Sequence, residues 1–237
     1  MQSTSKNKLI GLLLLSSSTA FGGDHYMSVT SNISYKTDYV FRGISQTKEI
    51  MAVQGGFDLS TNNGAYLGTW ASNVNFGDSS ESNIEVDLYG GFGGELSNEL
   101  KYDVGLIGYY YPGTESAYNY NYGEIYGSLS RTLYGEATGT LSYNYSPEYF
   151  SDTGDASYYH MSITAPTSVT NLSVSGGWGY QTINDDTTFG TGDYQDYTVA
   201  AAYEMKKVTL GLAFHDTFNC DASDSSARFV ASMSASF

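Results

Sequence analysis

Two side chains in one stretch of this sequence have the types and the spacing that hydrolytic chemistry uses. His160 and Ser162 are two residues apart, so an extended chain places them on the same face. An imidazole in reach of a hydroxyl can activate it to attack an ester, provided that a third group orients the base. The opposite face carries Tyr159, Met161 and Ile163, so the pair points away from the apolar side of the strand. Because no Gly-x-Ser-x-Gly or phosphate-binding glycine motif accompanies the pair, we predict that the chain is not an enzyme.

Charged residues form a second and larger set with a regular spacing. Glu85 and Asp87 alternate with Ile84, Val86 and Leu88, and similar alternation recurs along the chain. Acidic and basic side chains that line opposite walls of a narrow passage set a field across it, and such a field selects ions. What these charges can do therefore depends on the elements that hold them.

The sequence predicts that strands hold these residues. Tyr and Phe favour strands, and the chain has 23 Tyr and 11 Phe but only 3 Pro. Period-2 alternation and turn residues predict twelve strands, at 26–44, 50–60, 64–74, 82–93, 98–111, 117–130, 132–145, 156–165, 170–182, 194–205, 207–217 and 226–237.

The predicted connections between these strands alternate in length. Long polar connections fall at 75–81, 112–116, 146–155, 183–193 and 218–225. Short ones fall at 61–63, 94–97, 131, 166–169 and 206. Only 45–49 is shorter than its place in the series predicts. Outer-membrane barrels have short periplasmic turns and long extracellular loops, so this sorting favours a transmembrane barrel over a soluble sandwich.

The last predicted strand has one apolar face and ends on an aromatic residue. Its apolar positions are Phe229, Ala231, Met233, Ala235 and Phe237. A terminal strand of this kind is typical of Gram-negative outer-membrane barrels, so we interpret Phe237 as an assembly signal for the barrel-assembly machinery. The predicted fold class is all-β, an antiparallel up-and-down transmembrane barrel of about twelve strands.

The N-terminus predicts export. Lys6 and Lys8 precede a short apolar run at 9–15 and a small-residue segment, the order of a secretory signal peptide. We assign 1–22 to the signal peptide and 23–237 to the barrel, with the outer membrane as destination. The net charge of −15 argues against nucleic-acid binding, and the single Cys220 excludes an internal disulfide. Three isolated histidines make no zinc signature, and we predict no metal and no cofactor.

Tyrosines gather near the ends of the predicted strands. Examples are Tyr109–Tyr111, Tyr118, Tyr120, Tyr122 and Tyr143. A tyrosine has an apolar ring and a wet hydroxyl, which suits a membrane interface, although tyrosine also favours strands in general. The pattern is therefore consistent with an aromatic girdle without requiring one.

Several blocks of the sequence resemble one family. They are Thr37–Thr47, Gln54–Asp58, Gly68–Phe76, Glu85–Gly91 and Tyr109–Gly113, of which the first is the most specific. Through them the chain resembles the TorF-type porin family, the proteobacterial Gcw_chp proteins, across essentially its whole mature length. The resemblance implies an outer-membrane channel and implies neither its solute nor any catalytic residue.

Strand parity assigns charged residues to the lumen of the predicted barrel. The predicted pore-lining residues are Lys36, Asp38, Arg42, Asp58, Glu85, Asp87, Lys101, Asp103, Glu124, Glu136 and Arg228. Our hypothesis is that Lys36, Arg42 and Arg228 form a basic strip facing an acidic wall of Glu85, Asp87, Asp103 and Glu124. The alternative is that these charges pair with one another and fill the lumen.

The predicted function is a narrow, water-filled porin for small hydrophilic solutes or ions. Acids in the long connections and in the lumen predict a preference for cations. The alternative is a non-conducting barrel with a structural or surface-binding role. Outer-membrane lipid and lipopolysaccharide are the expected surroundings, and carboxylates in the outer loops could share divalent cations with lipopolysaccharide.

Overall fold

Twelve strands of the protein close into an antiparallel ring. The structure is a computed structural model, and it describes residues 27–97, 99–185 and 192–237. The predicted signal peptide, 1–22, lies outside these residues. The wall strands are β1 (Met27–Lys36), β4 (Ala52–Thr61), β5 (Ala65–Asn73), β6 (Ile84–Ser97), β7 (Leu100–Tyr110), β8 (Tyr122–Thr132), β9 (Thr138–Ser146), β10 (Ala156–Pro166), β11 (Leu172–Ile183), β12 (Tyr194–Met205), β13 (Val208–Phe218) and β14 (Arg228–Ser236). Two short strands, β2 (Val40–Phe41) and β3 (Ile44–Ser45), pair only with each other.

The ring closes between the first and last strands. β1 pairs with β4 on one side and with β14 on the other, where Lys36 lies opposite Ser232. Ser31 and Phe237 exchange backbone hydrogen bonds of 3.0 and 2.9 Å. Because each wall strand has a hydrogen-bonded neighbour on both sides, the sheet has no open edge, as an apolar solvent requires. The predicted fold class is confirmed.

The outer surface of the barrel is apolar. Phe57, Leu106 and Phe229 are between 61% and 70% exposed, and large apolar side chains occupy the same outward parity around the ring. Exposed apolar surface on this scale is far beyond that of a soluble monomer and fits contact with lipid tails. Among the described residues, no helix has the length and apolar character needed to cross a membrane.

The two ends of the barrel differ. The long connections at one end are 37–51, 74–83, 111–121, 147–155, 184–193 and 219–227, and the short ones at the other end are 62–64, 98–99, 133–137, 167–171 and 206–207. We call these the long-loop end and the short-turn end; β1 begins and β14 ends at the short-turn end. The predicted exception at 45–49 disappears, because the first wall strand ends at Lys36 rather than at residue 44.

The short turn between β8 and β9 differs from its prediction. A 3₁₀ turn, Tyr134–Glu136, stands where the sequence predicted that a strand had already begun at 132. Gly135 and Glu136 have φ of 71° and 64°, values that turn the chain and end the period-2 alternation. Glu136 is exposed in this turn, so its predicted place on the lumen wall is wrong.

Candidate functional site

The segment 37–47, which we call the lumen hairpin, leaves the wall after β1 and folds into the barrel. β2 and β3 are joined by Arg42 and Gly43, whose φ values of 46° and 81° belong to a two-residue turn with both residues in the left-handed region. A Cβ at residue 43 would lie 2.8 Å from Asp196 Cβ and 2.5 Å from Thr217 Cγ2, on β12 and β13. Glycine therefore lets the tip of the hairpin touch the barrel wall.

Arg42 anchors this tip on the side of the barrel away from β1. Its guanidinium donates to Glu124 Oε2 on β8 at 2.8 Å and to Gln181 Oε1 on β11 at 2.9 Å. The guanidinium carbon also lies 4.3 Å from the ring centroid of Tyr158 on β10. The Arg42 and Glu124 side chains are 6% and 1% exposed, so this ion pair is dry and the hairpin spans the lumen.

The base of the lumen hairpin is tied to the closing seam of the barrel. Arg228 Nη1 lies 3.0 Å from Asp38 Oδ2, and the other oxygen of Asp38 accepts hydrogen bonds from the Ser45 and Thr47 hydroxyls at 2.6 and 2.8 Å. Arg228 also donates to the Asp224 carbonyl oxygen at 2.7 Å. Both ends of the hairpin are therefore fixed by buried charge-assisted hydrogen bonds.

Aromatic rings pack the space around the hairpin. Tyr39 and Trp70 are 5.5 Å apart edge to face, and Phe41 and Tyr109 are 5.9 Å apart. The buried members of this cluster are Tyr39, Ala52, Val74, Tyr109, Tyr111 and Tyr120. The expectation of an aromatic girdle is thus wrong for Tyr109, Tyr111, Tyr120 and Tyr122, which lie inside the barrel or its mouth. Tyr110, Tyr143 and Tyr159 do face outward.

Two acids of β6 lie beneath these rings. Tyr39 donates its hydroxyl to Glu85 Oε1 at 2.9 Å, and both Glu85 and Asp87 are buried. Within the described residues, Asp87 Oδ1 has no hydrogen-bond partner. These carboxylates and Glu124 make the lumen acidic near the long-loop end, and Arg42 contacts Glu124.

The half of the lumen near the short-turn end is arranged differently. Asp58 accepts the hydroxyl of Tyr89 at 2.5 Å, and Asp103 accepts that of Tyr66 at 2.6 Å. Tyr66 is hydrogen-bonded in turn to Tyr126. These groups are only partly buried, which indicates a polar cavity open towards the short-turn end.

The predicted pore-lining residues fall into three groups. The structure places Lys36, Asp58, Glu85, Asp87, Asp103, Glu124 and Arg228 on the inner face of wall strands, and Asp38 and Arg42 on the lumen hairpin. Lys101 lies near the short-turn end, largely exposed, 3.5 Å from Glu95. Glu136 lies in the 133–137 turn. Lys101 and Glu136 therefore lie apart from the buried charges around the lumen hairpin.

The predicted basic strip does not form. Since β1 ends at Lys36, strand parity no longer applies to Asp38 and Arg42, and Arg42 crosses to Glu124 rather than standing beside Arg228. Arg228 pairs with Asp38 instead. The alternative interpretation, that these charges pair with one another, describes Arg42 and Arg228 correctly.

Sequence reasoning missed three participants, Tyr39, Gln181 and Asp196. Tyr39 lies within the distinctive Thr37–Thr47 block, which was the one available signal. Gln181 and Asp196 carry no spacing signal, since a single polar residue on an inner face is common. His160 and Ser162 do share the inner face, where the His160 ring lies 5.9 Å from that of Tyr158.

The family model described as "Bacterial protein of unknown function (Gcw_chp)" matches residues 20–236, including the block that forms the lumen hairpin. The chain belongs to the Gcw_chp family. No curated protein matches this Gcw_chp chain significantly.

Solved structures show which fold the Gcw_chp chain shares. The KdgM porin has a TM-score of 0.60 at 8% identity, over 88% of this chain and 99% of that one. The NanC porin has a TM-score of 0.58 at 10% identity, over 89% and 99%. An outer membrane channel from Pseudomonas putida F1 has a TM-score of 0.55 at 10% identity, over 92% and 99%. KdgM has also been solved in complex with disordered oligogalacturonate.

This Gcw_chp chain therefore has the fold of outer-membrane porins. Together with the closed ring and the apolar outer surface, that fold places it in the outer membrane. By the usual orientation of such barrels, the long-loop end faces the cell exterior and the short-turn end faces the periplasm. The role of Phe237 as an assembly signal stays a prediction.

Proposed function

We propose that this protein is an outer-membrane channel for small hydrophilic solutes or ions, narrowed by its lumen hairpin. The observation that carries the proposal is a closed barrel whose inner face has charged and hydroxyl-bearing side chains in both halves. A purely structural barrel could fill its interior with apolar side chains, at a lower desolvation cost than buried acids and bases. Carboxylates and hydroxyls on the inner face instead support the passage of water and polar solutes.

The lumen hairpin would set the conductance of this channel. It crosses the barrel without covalent attachment to the far wall. Non-covalent contacts of Arg42 fix its tip, among them the ion pair with Glu124 and the hydrogen bond to Gln181. Release of that tip would open the lumen between the two halves. A channel with this arrangement has a small conductance or a low open probability.

The charges inside the barrel favour cations. Arg42 is matched by Glu124 and Arg228 by Asp38, so the two buried arginines add no net positive charge. Further acids on the inner face form no ion pair with a basic side chain in the part of the chain that the structure describes; they are Asp58, Glu85, Asp87, Asp103 and Asp196. A lumen with this excess of acids attracts cations and repels polyanions. A polyanion such as the oligogalacturonate of the KdgM complex is therefore not the solute that we propose for this protein.

Planar-bilayer recording of the purified protein tests the proposal. We expect resolvable conductance steps and, in a salt gradient, a reversal potential of the sign that cation preference gives. A reversal potential of the opposite sign would contradict the proposed cation preference but not the proposed channel. The complete absence of steps, in the wild type and in a variant without the hairpin, would contradict the channel itself.

One observation favours the second candidate, a non-conducting barrel with a structural or surface-binding role. The lumen hairpin and the rings around it form a buried cluster, in which the Tyr109 and Tyr122 rings are stacked with their centroids 4.3 Å apart. If the hairpin never leaves this position, the wild type would not conduct. A wild type without steps, alongside a hairpin-free variant that conducts, would support this second candidate.

A further inference from the structure

A pocket of about 270 Å³ lies at the long-loop end, between the lumen hairpin and the loops around it. Its walls are mainly aromatic, and Phe41 of the hairpin, Phe76, Tyr122 and Phe150 contribute rings. The volume is just below the range of about 300–1,000 Å³ that holds drug-sized ligands, so the pocket suits a small molecule. Its position at the outer mouth gives solutes access from the exterior.

We call this cavity the mouth pocket, and its electrostatic potential is negative. Asp78 and Asp224 contribute carboxylates, and among the described residues that line it none is Lys, Arg or His. Within the described residues, the ion-pair partner of these carboxylates is Lys48, whose Nζ lies 3.8 Å from Asp224 Oδ2 in a partly exposed pair. Arg228 contacts Asp224 only through the backbone carbonyl oxygen. An anion would therefore meet carboxylates and the negative faces of aromatic rings.

Several hydrogen-bond donors in the mouth pocket are already used within the protein. The Tyr120 hydroxyl donates to Asp78 Oδ2 at 2.6 Å, and the Ser45 hydroxyl donates to Asp38 at 2.6 Å. The Gln46 amide donates to the Ile44 carbonyl oxygen at 3.1 Å. A sugar needs several free directional partners for its hydroxyls, whereas a compact cation needs only aromatic surface and negative charge. This distribution favours a compact cation over a carbohydrate.

We propose that the mouth pocket binds a small organic cation, a substituted ammonium group held by aromatic faces and by the charges of Asp78 and Asp224. Cation–π contacts are attractive and become stronger when the ring is removed from water. Binding at the mouth does not require conduction, so this inference goes beyond the proposed channel. Because Phe41 belongs to the hairpin, an occupant would also contact the element that closes the lumen.

Calorimetric titration of the full-length mature protein in detergent micelles tests this inference, with choline as the probe. Its neutral isostere 3,3-dimethylbutan-1-ol is the matched ligand control, since it has the same shape without the charge. We expect choline to bind at least about tenfold more tightly, the ratio that corresponds to 1.4 kcal/mol. Equal affinity for the two, tighter binding of glucose, or no binding of choline would each overturn the inference.

Variants locate the site. Asp224→Asn keeps the shape of the side chain and removes its charge, and we expect it to weaken choline binding severalfold. Phe76→Leu combined with Phe150→Leu should weaken it further. Tyr134→Leu removes a fully exposed ring at the short-turn end and should leave binding unchanged. If the double ring variant fails to fold, Asp224→Asn still decides, because unchanged affinity in that variant contradicts the site.

The two proposals fail independently. A protein that conducts but does not bind choline retains the channel and loses the mouth site. A protein that binds choline but conducts in no variant retains the mouth site and loses the channel.

Discussion

Two ion pairs at opposite ends of the barrel show how differently its halves are built. Arg42 and Glu124, at the hairpin tip, are 6% and 1% exposed. Arg131 and Glu99, at the short-turn end, are 64% and 60% exposed and lie 3.3 Å apart. Water and salt screen the second pair, so it contributes little, whereas the first is a dry contact whose partners depend on each other. An Arg–Glu ion pair therefore holds the hairpin tip in place at the long-loop end, whereas the same type of pair is an ordinary surface contact at the short-turn end.

The contrast extends to the residues around each pair. Near the long-loop end, the hairpin, Tyr39 and Tyr109 exclude water from the lumen. Near the short-turn end, Asp58 and Asp103 hold tyrosine hydroxyls in a partly exposed cavity. Resistance to flow should therefore be concentrated in the outer half, while the inner half should mainly influence which ions pass.

Removal of the hairpin should have the largest effect on this contrast. Lys36 and Ala52 are already paired across β1 and β4, so a short Gly-Ser turn can replace residues 38–47 without stretching the wall. We expect the single-channel conductance to rise severalfold, because the variant opens the dry half of the lumen. A matched Gly-Ser replacement of the exposed 133–137 turn should leave it unchanged. Equal conductance in wild type and hairpin-free protein would show that the hairpin does not limit flow.

Breaking the two ion pairs should have the next largest effect. Arg42→Met leaves the Glu124 carboxylate buried without its cation, which costs about 3–5 kcal/mol. Arg131→Met should cost less than about 1 kcal/mol, since its pair is exposed. Urea unfolding in micelles, followed by the loss of heat-modifiable migration, measures both. Adding Glu124→Gln to Arg42→Met should recover part of the loss; similar midpoints for Arg42→Met and Arg131→Met would contradict the comparison.

The wall of the barrel could be predicted from the sequence because period-2 alternation states directly which side chains face lipid. Strand β6 is such a case. The structure places Ile84 and Leu88 on the outer face and Glu85 and Asp87 on the inner face, as the alternation predicts. The alternation of long and short connections also predicted that both termini lie at the same end of the barrel. These signals are local and repeated, so one irregular segment does not remove them.

The lumen hairpin could not be predicted in the same way. The strand-like pattern of β1 continues through Val40 and Phe41, and the Arg42-Gly43 turn lacks the Asn-Gly or Asp-Gly pair that marks most tight hairpins. Tyrosine was ambiguous as well, because its ring and hydroxyl suit a membrane interface and a polar lumen equally. Which charges meet across the lumen depends on contacts between residues far apart in sequence, such as Arg42 with Glu124.

Neutralising the inner half should change selectivity more than conductance. Asp58→Asn together with Asp103→Asn keeps an acceptor for each tyrosine hydroxyl and removes two charges from the cavity near the short-turn end. We expect the reversal potential in a salt gradient to move towards zero, with a smaller change in conductance. Glu95→Gln, an exposed acid at the same end, is the control and should not shift it. A reversal potential unaffected by the double variant would place selectivity elsewhere in the barrel.

The smallest expected effect is a pH-dependent loosening of one outer loop. Burial acts to raise the pKa of Asp78, but hydrogen bonds from Ser80 and Tyr120 outweigh it and hold the pKa below its ordinary value. The pKa of Asp78 is lower in the folded state than in the unfolded state. The stabilisation that the Asp78 carboxylate gives to the loop is therefore fully present above the unfolded pKa of about 3.9, and it is lost as the pH falls through the folded-state pKa. Hydrogen exchange of loop 74–83, adjusted for the intrinsic pH dependence of exchange, should thus show equal protection at pH 7 and at pH 5, which lie about three units and about one unit above that pKa. Protection should weaken only in stronger acid. Tyr120→Phe should reduce protection at neutral pH and flatten this dependence, whereas Tyr118→Phe should not. Loss of protection between pH 7 and pH 5 would mean that another group, and not Asp78, controls the loop.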